Sequence, residues 1–316
     1  MKSESAISSN LLSGSFHQGN YLWAIGMNLA WNDLMDNHLG KSLQLMDSDP
    51  LGQELFDKFS AQNFINSLLS SEDYYARSGW GNACLEMIKQ EMQAKFPGGP
   101  LALLDGLTIQ ENDLISFAYL YKAFTHLGSF EETEMYFKQE KVLGFTLKKG
   151  STAGVEIITY RDESNFVLRL ASENERDEIF LIKGFEASTI DDLLENLKNI
   201  SPKESFEQIK EMDELQIPNI SLKHSRTYSE LIGKTVLSPK SRSLQITEMK
   251  ELINFSLNYQ GAMVENEALI VMSRSLPMPK RLILNEPFWL IMKEAAKPLA
   301  YLALRVENTN VLELVD

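Results

Sequence analysis

A chain of 316 residues with 44% hydrophobic content can bury a large core, enough for one large or two ordinary domains, and is not disordered. Its formal net charge of -14 leaves no basic stripe for nucleic acid or an anionic membrane and favours basic protein partners. The single Cys84 excludes an intrachain disulfide, no apolar run is long enough to cross a bilayer, and the opening MKSESAISSNLL lacks the apolar core of a signal peptide, so a cytoplasmic location is expected.

The first third reads as helical. Residues 22–34 are apolar nearly all round until Asn32 and Asp33, the mark of a buried helix. Residues 51–69 carry Leu55, Phe59 and Leu68 at helical spacing. Residues 83–96 follow with Leu85, Ile88, Met92 and Phe96, among which Cys84 is a small buried hydrophobe. Pro97-Gly98-Gly99-Pro100 ends that helix.

From Leu114 onward the pattern is of strands: 114–124, 142–147, 155–160, 166–171, 179–182 and 215–222. Two helices interrupt them. One runs through Leu193, Leu194, Leu197 and Ile200, and the other opens on Ser201, Pro202 and Glu204, a capping box with proline at the first helical position. An alternating strand through Phe255, Leu257 and Tyr259 reaches Gly261; after a long stretch come Asn285 to Ile291 and a closing strand at 299–306. Helices early and strands late predict an α+β fold. No linker divides the chain, so one domain over 1–316 is expected, mainly helical to residue 109 and mainly β-sheet from 110.

Catalytic and metal-binding patterns are missing. His17, His38, His126 and His224 are scattered, with no pair at ligand spacing, and read as surface or core histidines. Asp47-Ser48-Asp49 begins like a calcium loop, but Leu51 and Lys58 stand where an oxygen ligand and the bidentate Glu belong, which leaves a turn. Gly79-Trp80-Gly81 is too short to cradle a phosphate, and Asp191 and Asp192 suit a helix start. No enzyme, cofactor or metal is expected.

The order of elements resembles that of the serpins, protease inhibitors with an exposed reactive loop tethered between two sheets. Residues 114–122 look like the family's central strand, with Phe130, Thr133 and Phe137 placed as in the segment after it. Residues 155–160 and 166–170 resemble the hairpin ahead of a helix, 215–220 a strand carrying a proline, and 229–233 a short helix. Gly19-Asn20-Tyr21 and the helix after it match more weakly, and the region before Ala83 is shortened.

The resemblance implies a large central β-sheet with smaller sheets, a helical N-terminal part, and a reactive loop at 262–281. It implies a suicide mechanism: a protease attacks the loop, and the cut loop inserts as a new strand of the large sheet. Serpin loop insertion of this kind releases strain that the intact fold stores. Counting from Gly261 places the scissile bond at Arg274 and Ser275, which suits a trypsin-like serine protease; Arg274 also reads as a solvated loop cation.

The hinge comprises Gly261, Ala262, Met263, Val264, Glu265, Asn266, Glu267 and Ala268. With period two, Ala262, Val264, Asn266 and Ala268 face inward, and the unpaired Asn amide costs roughly 1–3 kcal/mol on insertion. Three residues depart from the family where sheet opening is controlled: Phe117 for the usual Asn, Glu251 for His, and Trp23 within the stretch that replaces a Ser-Pro segment. Bulky apolar residues there lock a sheet. Two readings stay open: a monomeric inhibitor, and a non-inhibitory protein whose loop is a docking element or cleavable switch.

Overall fold

The structure, a computed structural model, describes residues 7–8, 19–47, 49–61, 69–173, 175–184, 206–259, 279–295, 297 and 300–315. It opens with strands β1 (Ile7–Ser8) and β2 (Asn20–Ala24), then helix α1 (Gly26–Leu34) and a π-helical turn (Met35–Leu39). Strand β3 (Gln44–Met46), helix α2 (Pro50–Ser60), strand β4 (Tyr74–Trp80) and helix α3 (Gly81–Lys95) complete the helical part.

Strands follow: β5 (Leu114–Leu120), the hairpin β6 (Phe130–Phe137) and β7 (Glu140–Leu147), then β8 (Val155–Asp162), β9 (Asn165–Ala171) and β10 (Asp177–Lys183). Beyond them lie β11 (Glu207–Gln208), β12 (Glu214–Pro218), β13 (Ile220–Thr227), β14 (Thr235–Ser238), β15 (Arg242–Gln245) and β16 (Lys250–Leu257). The chain closes with β17 (Arg281–Ile283), β18 (Phe288–Glu294), β19 (Ala300–Val306) and a 3-10 turn (Thr309–Val311). The architecture is α+β.

Several boundaries differ from the sequence reading, each for a tertiary reason. The buried helix begins only at Gly26, because Tyr21-Leu22-Trp23 forms a strand beside β19. The helix from Pro50 ends at Ser60; Leu68 lies outside the described residues. The strand from Leu114 stops at Leu120, where the chain is taken over by Asp73: Tyr121 N–H donates to its carbonyl at 2.9 Å and Lys122 Nζ to its Oδ2 at 2.7 Å. Residues 215–222 are two strands that break after Pro218, which has no N–H for a ladder. Residues 229–233 form a turn closed by Leu231 N–H on Tyr228 O, not a helix. The helix through 190–200, its Asp191 and Asp192, and the capping box at Ser201 lie outside the described residues.

The chain divides into two compact units: Met1–Trp23, Ala123–Lys223 and Asn254–Asp316 form one, and Ala24–Lys122 with His224–Ile253 the other. In the first unit an eight-stranded sheet runs β1-β2-β19-β18-β10-β9-β8-β11 and a four-stranded sheet runs β17-β12-β7-β6. The middle of the large sheet, β9, β10 and β18, is covered along most of its length, which is why those strands read as continuous apolar runs. Phe137 meets Phe288 edge-on at 6.3 Å, and both are fully buried.

The second unit layers β4 and β5 between two helices. Alternation along the strands sends Tyr75, Arg77 and Phe117 towards α3 and Ser78 and Ser116 towards α1. On the α3 side Glu91 accepts from Arg77 Nη1 at 2.7 Å and Tyr75 OH at 2.9 Å; on the α1 side Ser78 Oγ donates to Asp33 Oδ2 at 2.5 Å and Ser116 Oγ to Ala30 O at 2.7 Å. The glycines around Trp80 serve packing: a Cβ at Gly79 would lie 2.5 Å from Cys84 Sγ. Cys84 is buried, as its helical position implied, and burial pushes its thiol up. Asp49 marks a helix start, its Oδ1 accepting from Gly52 N–H at 2.7 Å as the cap of α2.

Candidate functional site

The segment joining β16 to β17 is the candidate site, and its two ends are built differently. All of Gly261, Ala262, Met263, Val264, Glu265, Asn266, Glu267 and Ala268, together with Arg274 and Ser275, lie outside the described residues. What the structure gives is how the segment is rooted.

At its far end the root is polar and mostly main-chain. Strand β17 runs parallel to β12, pairing Arg281 with Glu214 and Ile283 with Gln216. One carboxylate ties the exit to a neighbouring turn: Asp213 Oδ1 accepts from Lys280 N–H at 2.8 Å while its Oδ2 accepts from Lys210 N–H at 2.9 Å. Lys280 Nζ donates to Glu207 at 2.5 Å, and Arg281 reaches Glu214 at 3.2 Å and Glu163 at 2.8 Å. These ion pairs are exposed and screened, so the backbone pairing and Asp213 carry the anchoring. Beyond β17, the buried Lys183 Nζ donates to Ile283 O at 2.9 Å and Asn285 Oδ1 at 2.6 Å; desolvation holds its ammonium below the usual lysine range.

At the near end, strand β16 alternates as expected: Glu251, Ile253 and Leu257 are inside and Lys250, Leu252 and Asn254 outside. One residue after the strand, the Asn258 carbonyl receives His126 Nε2 at 2.9 Å. No local pattern marks this partner, since His126 lies 132 positions away.

The residues singled out for sheet opening fall in different surroundings. Trp23, on β2, belongs to the first unit and is buried. Phe117 is a core residue of the second unit, in a cluster with Tyr75, Cys84, Leu85, Ile88, Met92 and Leu104. Glu251, in the same unit, is a buried carboxylate with a structural task. Helix α1 has no side-chain cap of its own, and Glu251 supplies one from 224 residues away, accepting Met27 N–H at 3.3 Å through Oε1. Its Oε2 accepts from Tyr228 OH at 2.8 Å. Burial raises its pKa, against the lowering effects of the Tyr228 hydroxyl, the Met27 amide and the Arg226 charge, and burial wins. Arg226 itself stacks on Tyr228 at 4.3 Å and pairs with Glu230 at 3.0 Å.

Of the described histidines, His38 stands edge-on to Trp80 at 6.2 Å, while His126 and His224 are buried. Among the described residues no group of three acidic, histidine or cysteine side chains could hold a metal, and no helix is long and apolar enough to cross a membrane.

No family model matches this sequence, and no curated protein matches it. Solved structures do, through their fold. A tumour-suppressing serpin aligns at TM-score 0.60 and 10% identity, over 92% of this chain and 93% of its own. Mouse protein-Z dependent protease inhibitor aligns at 0.54 and 15%, over 92% and 91%. Human thyroxine-binding globulin, solved in complex with thyroxine, aligns at 0.55 and 10%, over 93% of each. The chain therefore has a serpin-like fold, as the order of its strands implied.

Proposed function

We propose that this chain is a serpin-like inhibitor that offers residues 262–281 to a trypsin-like serine protease as a suicide substrate, with Arg274 in the specificity pocket and Ser275 beyond the scissile bond. It acts as a monomer, in the cytoplasm, without a cofactor and without catalysis of its own; a single free cysteine suits a reducing compartment. The observation that carries this reading is the rooting of the segment. It leaves the end of β16 and returns in β17, a strand of another sheet. Among the described residues β16 pairs only with β13 and β5 only with β4. Among those residues each therefore lies at the edge of its sheet, where an added strand can pair.

A second reading has its own support. Phe117 ties β5 into the α3 core and Glu251 ties β16 to α1, so loop insertion meets packed side chains, and the inward Asn266 adds a cost. On that reading the loop is a docking element or cleavable switch.

Incubation with trypsin separates the two. Inhibition predicts a complex that survives SDS, a large rise in Tm after cleavage, and loss of the complex in Arg274→Ala. Cleavage with neither complex nor Tm rise would leave the docking role.

A further inference from the structure

His126 is 3% exposed and sits among Phe124, Phe130 and Phe145, at ring distances of 5.3, 4.6 and 5.6 Å. Its backbone is fixed on both sides: Leu127 N–H donates to Ala171 O at 3.0 Å and Glu173 N–H to Thr125 O at 3.0 Å. A carbonyl can only accept, so the contact with Asn258 O requires the hydrogen on Nε2 and leaves Nδ1 bare in the neutral ring. Nδ1 is buried and has no hydrogen-bond partner among the described residues.

Protonation would put a second N–H and a full charge into this hydrocarbon cage. Among the described residues the contacts of the ring are with three phenyl rings and the Asn258 carbonyl, with Ser172 across an isolated bridge, and none of these groups ionises. The neighbouring carboxylates Glu131, Glu132 and Glu173 are exposed. Burial holds the imidazolium below its ordinary range, and the Asn258 bond offsets that only in part.

We propose that His126 is a proton-operated clasp on the near root of the loop: neutral, it fixes Asn258 and the point where the chain leaves β16; protonated, the ring leaves its cage and frees residues 254–259. The device stands whether or not the loop meets a protease. The released ring binds its proton more readily than the caged one, so opening is favoured as pH falls below about 6.5. While the caged ring stays neutral, one proton per opening makes the effect about tenfold per pH unit.

The test is hydrogen exchange of the backbone amides at 254–259 in the full chain, corrected for intrinsic chemistry, between about pH 7.5 and 5.0. Protection is expected to fall about tenfold or more below about pH 6.5. His126→Phe fills the cage without the bond or the titration, so its protection should be low at the upper pH and flat with pH. His224→Gln should keep the parent's response. Flat protection in the parent, or an unchanged fall in His126→Phe, overturns the proposal. If His126→Phe does not fold, the ring is titrated by NMR in the parent: a midpoint below about 6.5 that coincides with the exchange midpoint supports the clasp, and one at or above that value overturns it.

Discussion

Replacing Phe117 by alanine tests whether β5 is locked against α3. The ring is buried, packed on Ile88 and Met92 of α3 among others, and tilted on Tyr75 at 6.4 Å. Phe→Ala changes in cores cost about 3–5 kcal/mol, part lost transfer energy and part cavity. Phe117 keeps 8% exposure at the edge of its cluster, which argues for the lower end, about 3 kcal/mol. The neighbouring Ser116 holds the opposite face to α1 through Ala30 O, so that layer should survive. At about 2 °C per kcal/mol for a chain this long, Tm should fall by about 6 °C. Urea unfolding, with its m-value unchanged, measures the loss, and Phe117→Leu should lose only about half as much. A cost below about 1 kcal/mol for the alanine variant would refute the claim that this ring fastens the strand.

Two further substitutions probe a tight backbone approach at Gly128 and the buried Glu251 carboxylate. Gly128→Ala would drive its Cβ into Ala153 O, a backbone atom that cannot step aside, so a loss of about 3 kcal/mol or failure to fold is expected in thermal unfolding. Glu251→Gln should alter how stability depends on pH. With its pKa raised in the folded state, the parent binds more protons folded than unfolded, so its contribution is full below the unfolded carboxylate value of about 4.3 and is lost as pH rises through the folded value. The Tm of the variant relative to the parent should therefore climb as pH rises above about 4.3; a difference constant with pH contradicts the burial of a titrating carboxyl.

The fold was most readable from sequence where one sheet decides everything. Strands β9 and β10 were visible because burial on both faces favours a largely apolar run, and β16 because its alternation survives. Strand β4 was not visible: Arg77, Ser78 and Gly79 look like a loop until Glu91, Asp33 and Cys84 are in place around them. The resemblance to serpins picked out Glu251 and Phe117 as departures, but their tasks, capping α1 and filling the α3 core, depend on partners that no local window contains. His126 had only its aromatic neighbourhood to mark it. The rooting of the loop at Asp213 and Lys280 joins positions 67 residues apart, beyond the reach of periodicity.

The way the two units share the chain has a consequence for biosynthesis. Neither is a continuous stretch: one needs Ala24–Lys122 and His224–Ile253, the other waits for Asn254–Asp316. Strand β2 leaves the ribosome long before its neighbour β19, and the Asn20–Asn308 hydrogen bond spans 288 positions. Nascent Tyr21, Leu22 and Trp23 must wait for β19 before that strand is paired, which makes the partly made chain a natural client for chaperones and slows folding.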